Sequence, residues 1–202
     1  MSIVFYWHPM SSATPIACAL AELDVPHDRV KIDIRAGEQH RPAFLALNPH
    51  GKVPTLTVDG APMFETLAIH FWLAERYGVA RGLWPQAGTP EHLQAMSWCT
   101  WAYVSYGALL SRLWAATQGD AALRSEAHAA AAQDGLDQSL AVLDARLAAQ
   151  PWMLGADYSL VDLVVGSVLG YSEFLKAPVH EHAHVSAWLG RVQARPAMQV
   201  QG

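Results

Sequence analysis

Cysteine is nearly absent: Cys18 and Cys99 are the only two in 202 residues, far apart, each in a segment of helical pattern, with no C-x-x-C. That spacing excludes a disulfide framework, a dithiol redox motif and a cysteine zinc site, and leaves both as small buried hydrophobes. Charge is scarce too, at 15% of residues, and its balance is negative, with 13 Lys plus Arg against 18 Asp plus Glu. A net charge of -5 gives no general attraction to phosphate backbones or anionic lipid, so nucleic acid is excluded as a partner class. No apolar run reaches the roughly 18 residues that span a bilayer. The opening MSIVFYWHPM lacks a basic n-region, a long apolar core and a small-residue cleavage site. A soluble, cytoplasmic protein is expected. What is present is hydrophobic content of 52%, enough to fill one large core or two small ones.

The chain changes grammar part-way. SIVFYW is a β-branched and aromatic run, SATPIACALAELD repeats apolar residues at helical spacing through Ile16, Ala17, Leu20 and Leu23, and HDRVKIDI alternates Val30, Ile32 and Ile34 with charge. PAFLALN follows as a short helix, TLTVDGAPMF as a hairpin turning at Asp59-Gly60, and ETLAIHFWLAERYG as a helix closed by Gly78. The order β-α-β-α-β-β-α predicts an α+β domain over residues 1–78. A right-handed crossover makes its first two strands parallel, and the Asp-Gly hairpin makes its last two antiparallel. The Gly- and Pro-rich stretch 79–90 reads as a linker. Residues 91–202 read as an all-α array whose Leu136, Leu140, Leu143 and Leu147 form one amphipathic stripe. The expected partners of that stripe are the long helix LQAMSWCTWAYVSYGALLSRLW and the apolar LVDLVVGSVLGY.

Three local motifs carry chemistry, and two more need a structural reading. In NPHGKVPTL, residues 48–56, Pro54 opens a strand, where proline removes a ladder hydrogen bond. A cis Val53-Pro54 bond would turn the Val53 backbone N–H and C=O outward, as an edge to which a peptide-like ligand adds by β-type hydrogen bonds. FETLAI places Glu65 and Thr66 at a helix start, where orphan N–H groups suit an anion, although either residue could simply cap. WHPMSSATP runs a strand into the first helix, with Ser11 and Ser12 at or beside its N-cap. GADYSLVD contains S-x-x-D, a capping box in which Ser159 and Asp162 are structural rather than catalytic. HEHAH, residues 180–184, spaces His180, His182 and His184 by two, which matches no metal motif, so no metal is expected.

In their order and separation, NPHGKVPTL, ETLAI and GADYSLVD resemble the glutathione S-transferase family along most of the chain, with a thioredoxin-like domain in front and a helical domain behind. The resemblance implies that Val53 and Pro54 present backbone to glutathione and that Thr66 and its N–H hold the γ-glutamyl carboxylate. Glu65 would then meet the ammonium group, and Lys52 and His40 the glycine carboxylate. It also implies a symmetric homodimer. Lowering a thiol pKa from about 8.5 by two units takes about 2.7 kcal/mol. A hydroxyl donor to a charged sulfur supplies about 1.5–3 kcal/mol and a helix N-terminus about 0.3–1 more. The family's tyrosine variants place that residue where this chain has Trp7, and the cysteine variants align their thiol with Ser12. Ser11 aligns with the serine-using classes and is taken first, Ser12 second, with plain capping as the alternative. The electrophile is expected between the domains, against Trp7, His8, Met10, Tyr103, Tyr106 and Leu110, although aromatics at that spacing also suit a core. Transfer of the thiolate to a soft electrophilic carbon is the expected reaction. Glutathione-dependent isomerisation or dehalogenation, or a non-catalytic binding role on the same fold, are the alternatives.

Overall fold

The computed structural model describes residues 1–200, which divide into two compact units: residues 1–83 together with those from Arg195 on, and residues 84–194. In the first, a four-stranded sheet runs in the order β2-β1-β3-β4, from β1 (Ile3–Trp7), β2 (Asp28–Lys31), β3 (Thr55–Val58) and β4 (Ala61–Phe64). β1 pairs parallel with β2 and antiparallel with β3, and β3 pairs antiparallel with β4. The hairpin turns on Asp59 at φ 47° and Gly60 at φ 85°, the two left-handed residues that a two-residue loop requires. Proline is tolerated at Pro62 because β4 is an edge.

The inner strands set Phe5 opposite Leu56, both with no exposed surface. α1 (Thr14–Glu22) buries Ile16 and Leu20, α3 (Thr66–Leu73) buries Ile69 and Leu73, and the two helices pack together. Each such side chain contributes about 1.5–3 kcal/mol of transfer free energy. A short α2 (Pro42–Leu45) adds buried Phe44. Two expectations change. β2 is an edge strand with all four residues exposed, Val30 among them, and it ends before Ile32 and Ile34, of which only Ile32 is buried. Gly78 does not close α3: a π-helical turn (Ala74–Gly78) and a 3-10 turn (Val79–Arg81) follow, and the left-handed stop is Gly82 at φ 69°. The chain also returns late to this unit. Arg195 pairs in bidentate fashion with Glu22 at the end of α1, and the turn Pro196–Gln199 packs on the same helix.

The second unit holds α4 (Pro90–Thr100), α5 (Gly107–Thr117), α6 (Glu126–Ala149), α7 (Leu160–Phe174) and α8 (Ala183–Gln193). Thr89 caps α4 and Ser125 caps α6 through their hydroxyls. The leucine stripe of α6 is buried against α5 and α8, so its second main neighbour is α8 rather than α7. Asp144 of α6 explains the attachment, because its Oδ1 accepts the N–H groups of His184 and Val185 at 2.8 and 3.0 Å and so caps α8 from a neighbouring helix. α7 lies on α8 with Gly166 facing Val192, where a Cβ would come within 2.7 Å of Cγ1. Gly166→Ala should therefore lower stability by about 1–3 kcal/mol despite alanine's better helix propensity. Chemical denaturation would show it as a lower midpoint, and an unchanged or raised midpoint would mean that Val192 yields without strain.

Candidate functional site

The loop before β3 is organised by a residue that the sequence reading passed over. Asn48 is 2% exposed. Its Nδ2 donates to the Lys52 carbonyl at 2.7 Å and to Thr55 Oγ1 at 3.1 Å, and its Oδ1 accepts the His50 N–H at 3.0 Å. Thr55 Oγ1 donates in turn to the Lys52 carbonyl. The signal was in NPHG, since an asparagine two residues before a turn N–H forms an Asx-turn. Gly51 sits at φ 58° with its α-carbon against the earlier turn at residues 38–40, where a Cβ would meet His40 Nδ1 at 2.9 Å and the Gln39 carbonyl at 3.0 Å. Glycine is thus needed twice over, and the close approach sets His40 against Gly51, whose chain neighbour Lys52 is exposed. The Val53-Pro54 peptide is cis.

The loop from β1 into α1 carries both serines. The N-cap position of α1 falls on Ala13, which makes no side-chain cap. Ser11 is half-buried; its hydroxyl donates to the His8 carbonyl at 2.6 Å and accepts the Ala13 N–H at 3.1 Å. Ser12 reaches across 41 residues of sequence: its hydroxyl donates to the Val53 carbonyl at 2.7 Å. Its own carbonyl accepts from Thr66 Oγ1 at 3.2 Å. Ser12, Val53 and Thr66 are therefore brought together at the start of α3.

Glu65 holds the N-cap position of α3 with φ 70°, a left-handed conformation that is uncommon for a residue with a Cβ, and it is exposed. Thr66 is 8% exposed. Its one hydroxyl proton lies on Ser12, so what it can offer an anion is its backbone N–H, one of the orphan donors of the first turn. His70, one turn further on, adds no charge, because burial depresses its pKa to about 3.

Other expected residues are placed differently. One face of the Trp7 ring is covered by the Arg29 guanidinium, 4.1 Å from the ring centroid. His8 is anchored by Nδ1 to the Ile32 carbonyl at 2.8 Å. A carbonyl only accepts, so Nδ1 carries the proton. Met10 is 98% exposed at φ 52°, an apolar side chain projecting from the serine loop. Tyr106 and Leu110 are corrections: they are buried within the helical unit, Tyr106 completely, with its hydroxyl donating to Ser172 Oγ at 3.1 Å. Desolvation pushes that phenol up to about 12. Neither can line a pocket open to substrate. The residues Trp101–Tyr106 form a π-helical stretch, whose wider turn removes the α-helical spacing that would set Tyr103 and Tyr106 on one face. Tyr103 is half-buried, and desolvation followed by the nearby Cys99 holds its phenol well above its usual range.

Both cysteines are buried, and desolvation pushes the Cys18 thiol up to about 11 and the Cys99 thiol further still. His182 pairs with Asp137 at 2.9 Å and His180 with Glu173 at 3.2 Å, while the His184 N–H is held by Asp144. Among the described residues no group of three or more His, Cys, Asp or Glu side chains could hold a metal ion. Among them, too, no helix is long and apolar enough to cross a membrane. The S-x-x-D box is formed at the start of α7, as expected.

Comparison with known proteins bears on the same segments. Residues 1–75 match the family model of the glutathione S-transferase N-terminal domain, and residues 126–191 that of the C-terminal domain. A glutathione S-transferase of Silene vulgaris is 31% identical, the match covering 98% of this chain and 96% of that one. The disulfide-bond oxidoreductase YfcG of Escherichia coli is 28% identical over 96% of this chain and 92% of its own. A theta class glutathione S-transferase from Xanthomonas axonopodis pv. citri, solved with glutathione bound, superposes with a TM-score of 0.81 at 32% identity, covering 98% of this chain and 95% of that one. Two consecutive domain matches, a relative above 30% identity along nearly the whole length and the β-α-β-α-β-β-α unit followed by five helices agree: the chain belongs to the glutathione S-transferase family.

Proposed function

We propose that this protein is a glutathione transferase that binds glutathione on the first unit and activates its thiol for attack on a small hydrophobic electrophile. The observation that carries the reading is the convergence of Ser12, Val53 and Thr66 through two hydrogen bonds, at a helix start with orphan N–H groups. The Val53 backbone takes the peptide portion, the Thr66 N–H takes the γ-glutamyl carboxylate, and exposed Glu65 takes the ammonium group. Lys52 and His40, one the chain neighbour of Gly51 and the other packed against it, take the glycine carboxylate. Ser11 supports the sulfur: rotation about its Cβ–Oγ bond moves one proton from the His8 carbonyl to the thiolate, while the Ala13 N–H still steadies the oxygen. Exposed Met10 and half-buried Trp7 offer the electrophile apolar contact. With both cysteines buried, any disulfide chemistry of the kind named for the Escherichia coli relative would run on the sulfur of glutathione itself.

Titration calorimetry with glutathione tests binding, and the ultraviolet thiolate band of the bound ligand tests activation. The wild type should bind glutathione and lower its thiol pKa by about two units. Ser11→Ala should return about one to two of those units, the equivalent of about 1.5–3 kcal/mol, while binding persists. No binding at millimolar glutathione overturns the proposal, and an unchanged thiol pKa in Ser11→Ala removes that serine from the role.

A further inference from the structure

We infer that Ser12 is a positioning residue that fixes the distance between the two halves of the glutathione site, an inference that rests on the glutathione reading above. Its two bonds point in different directions. The hydroxyl holds the Val53 carbonyl at 2.7 Å, and the main-chain carbonyl holds Thr66 Oγ1 at 3.2 Å. Carbonyl oxygens only accept, so Ser12 Oγ is the donor in the first bond and Thr66 Oγ1 in the second. Neither assignment depends on how hydrogens are placed.

The segments joined are remote in sequence, 41 and 54 residues from Ser12. One presents the peptide edge and the other presents the helix end that receives a carboxylate. A ligand that engages both must match the gap between them, and the residue spanning that gap is Ser12. Capping does not account for the side chain, because α1 has no side-chain cap and Ser12 Oγ is turned to Val53 instead. Support of the sulfur suits Ser11 better: Ser11 Oγ stays held by the Ala13 N–H when its proton turns from the His8 carbonyl, whereas turning the Ser12 proton to a thiolate would undo the link to Val53 itself. The two neighbouring serines are thereby given separate work, Ser11 on the sulfur and Ser12 on the frame. Because Ser12 is exposed, a β-methyl has room at this position, so threonine should preserve the bond.

The test compares the wild type, Ser12→Ala and Ser12→Thr in the full chain. Ser12→Ala should weaken glutathione binding about tenfold by calorimetry, the effect of losing one hydrogen bond that preorganises the site. The loss should fall on KM for glutathione rather than on kcat, and the glutathione that binds should keep the wild-type thiol pKa. In the ligand-free protein, amide exchange over residues 50–57 should quicken in Ser12→Ala and stay at wild-type rates in Ser12→Thr. A raised thiol pKa with unchanged affinity in Ser12→Ala would overturn the inference by making Ser12 the sulfur donor. Unchanged affinity together with unchanged exchange would overturn it by showing that the two bonds position nothing. If the wild type itself binds no glutathione, the functional reading fails; if it binds and only the Ser12 variants behave as wild type, this inference alone fails.

Discussion

Asp162→Ala should destabilise the protein by about 3–5 kcal/mol, more than any other single change considered. Asp162 has no exposed surface, and both of its carboxylate oxygens are engaged. Oδ1 accepts the Met153 N–H and the Trp188 Nε1–H, both at 2.8 Å, and Oδ2 accepts the Ser159 N–H and hydroxyl, both at 2.9 Å. Burial pushes the carboxyl above its ordinary range, and the donors, first the Met153 N–H, pull it back. One side chain thus starts α7, ties the preceding loop to it and fastens buried Trp188 of α8. Alanine leaves several buried donors without an acceptor and opens a cavity besides. Asp162→Asn keeps Oδ1 but turns an amide toward the Ser159 N–H, and should cost about 1–3 kcal/mol. Denaturant midpoints for the two variants check both values, and a loss below about 1 kcal/mol for alanine would mean that water or neighbouring groups replace the carboxylate.

Asn48→Ala should cost about 2–4 kcal/mol and weaken glutathione binding as well. The amide closes the loop by three bonds, to Lys52, Thr55 and His50, in a site that excludes water. Alanine strands the His50 N–H and takes from the Lys52 carbonyl its shorter partner, leaving the 3.2 Å bond from Thr55. Asn48→Asp separates hydrogen bonding from volume. It has the same shape, yet it sets a carboxylate oxygen against the Lys52 carbonyl and should be at least as damaging. Thermal or denaturant unfolding gives the stability, and glutathione calorimetry the functional loss. If Asn48→Asp were neutral, the loop would be held by packing and the hydrogen-bond account would be wrong.

These two residues also show which parts of the molecule a linear reading reaches. Local rules were legible. Asp59-Gly60 turned where its left-handed residues require, the leucine stripe of α6 was buried, and S-x-x-D in GADYSLVD capped a helix. Asn48 escaped although its partners are local, its Asx-turn signal standing in NPHG; most of the rest was set by partners distant in the chain. The capping box announced Ser159 and Asp162 to each other, but nothing local announced Met153 and Trp188. The edge position of β2 exposed Val30, and edge status follows from pairing rather than from alternation; Ile34 is exposed in the turn beyond the strand's end. Tyr103 and Tyr106 were read at α-helical spacing, and the π-helical stretch has no residue signature that would have warned of it. For the candidate site the segments were visible, and the bonds joining Ser12 to Val53 and Thr66 were not.

The return of the chain at Arg195 sets an order of events in synthesis. Glu22 and α1 emerge early, but the guanidinium that clamps Glu22 and the turn that covers the helix are made only after the whole helical unit has been translated. At about 5–20 residues per second that interval is on the order of ten seconds. During it α1 of the first unit lacks the turn and the guanidinium that later cover one of its flanks.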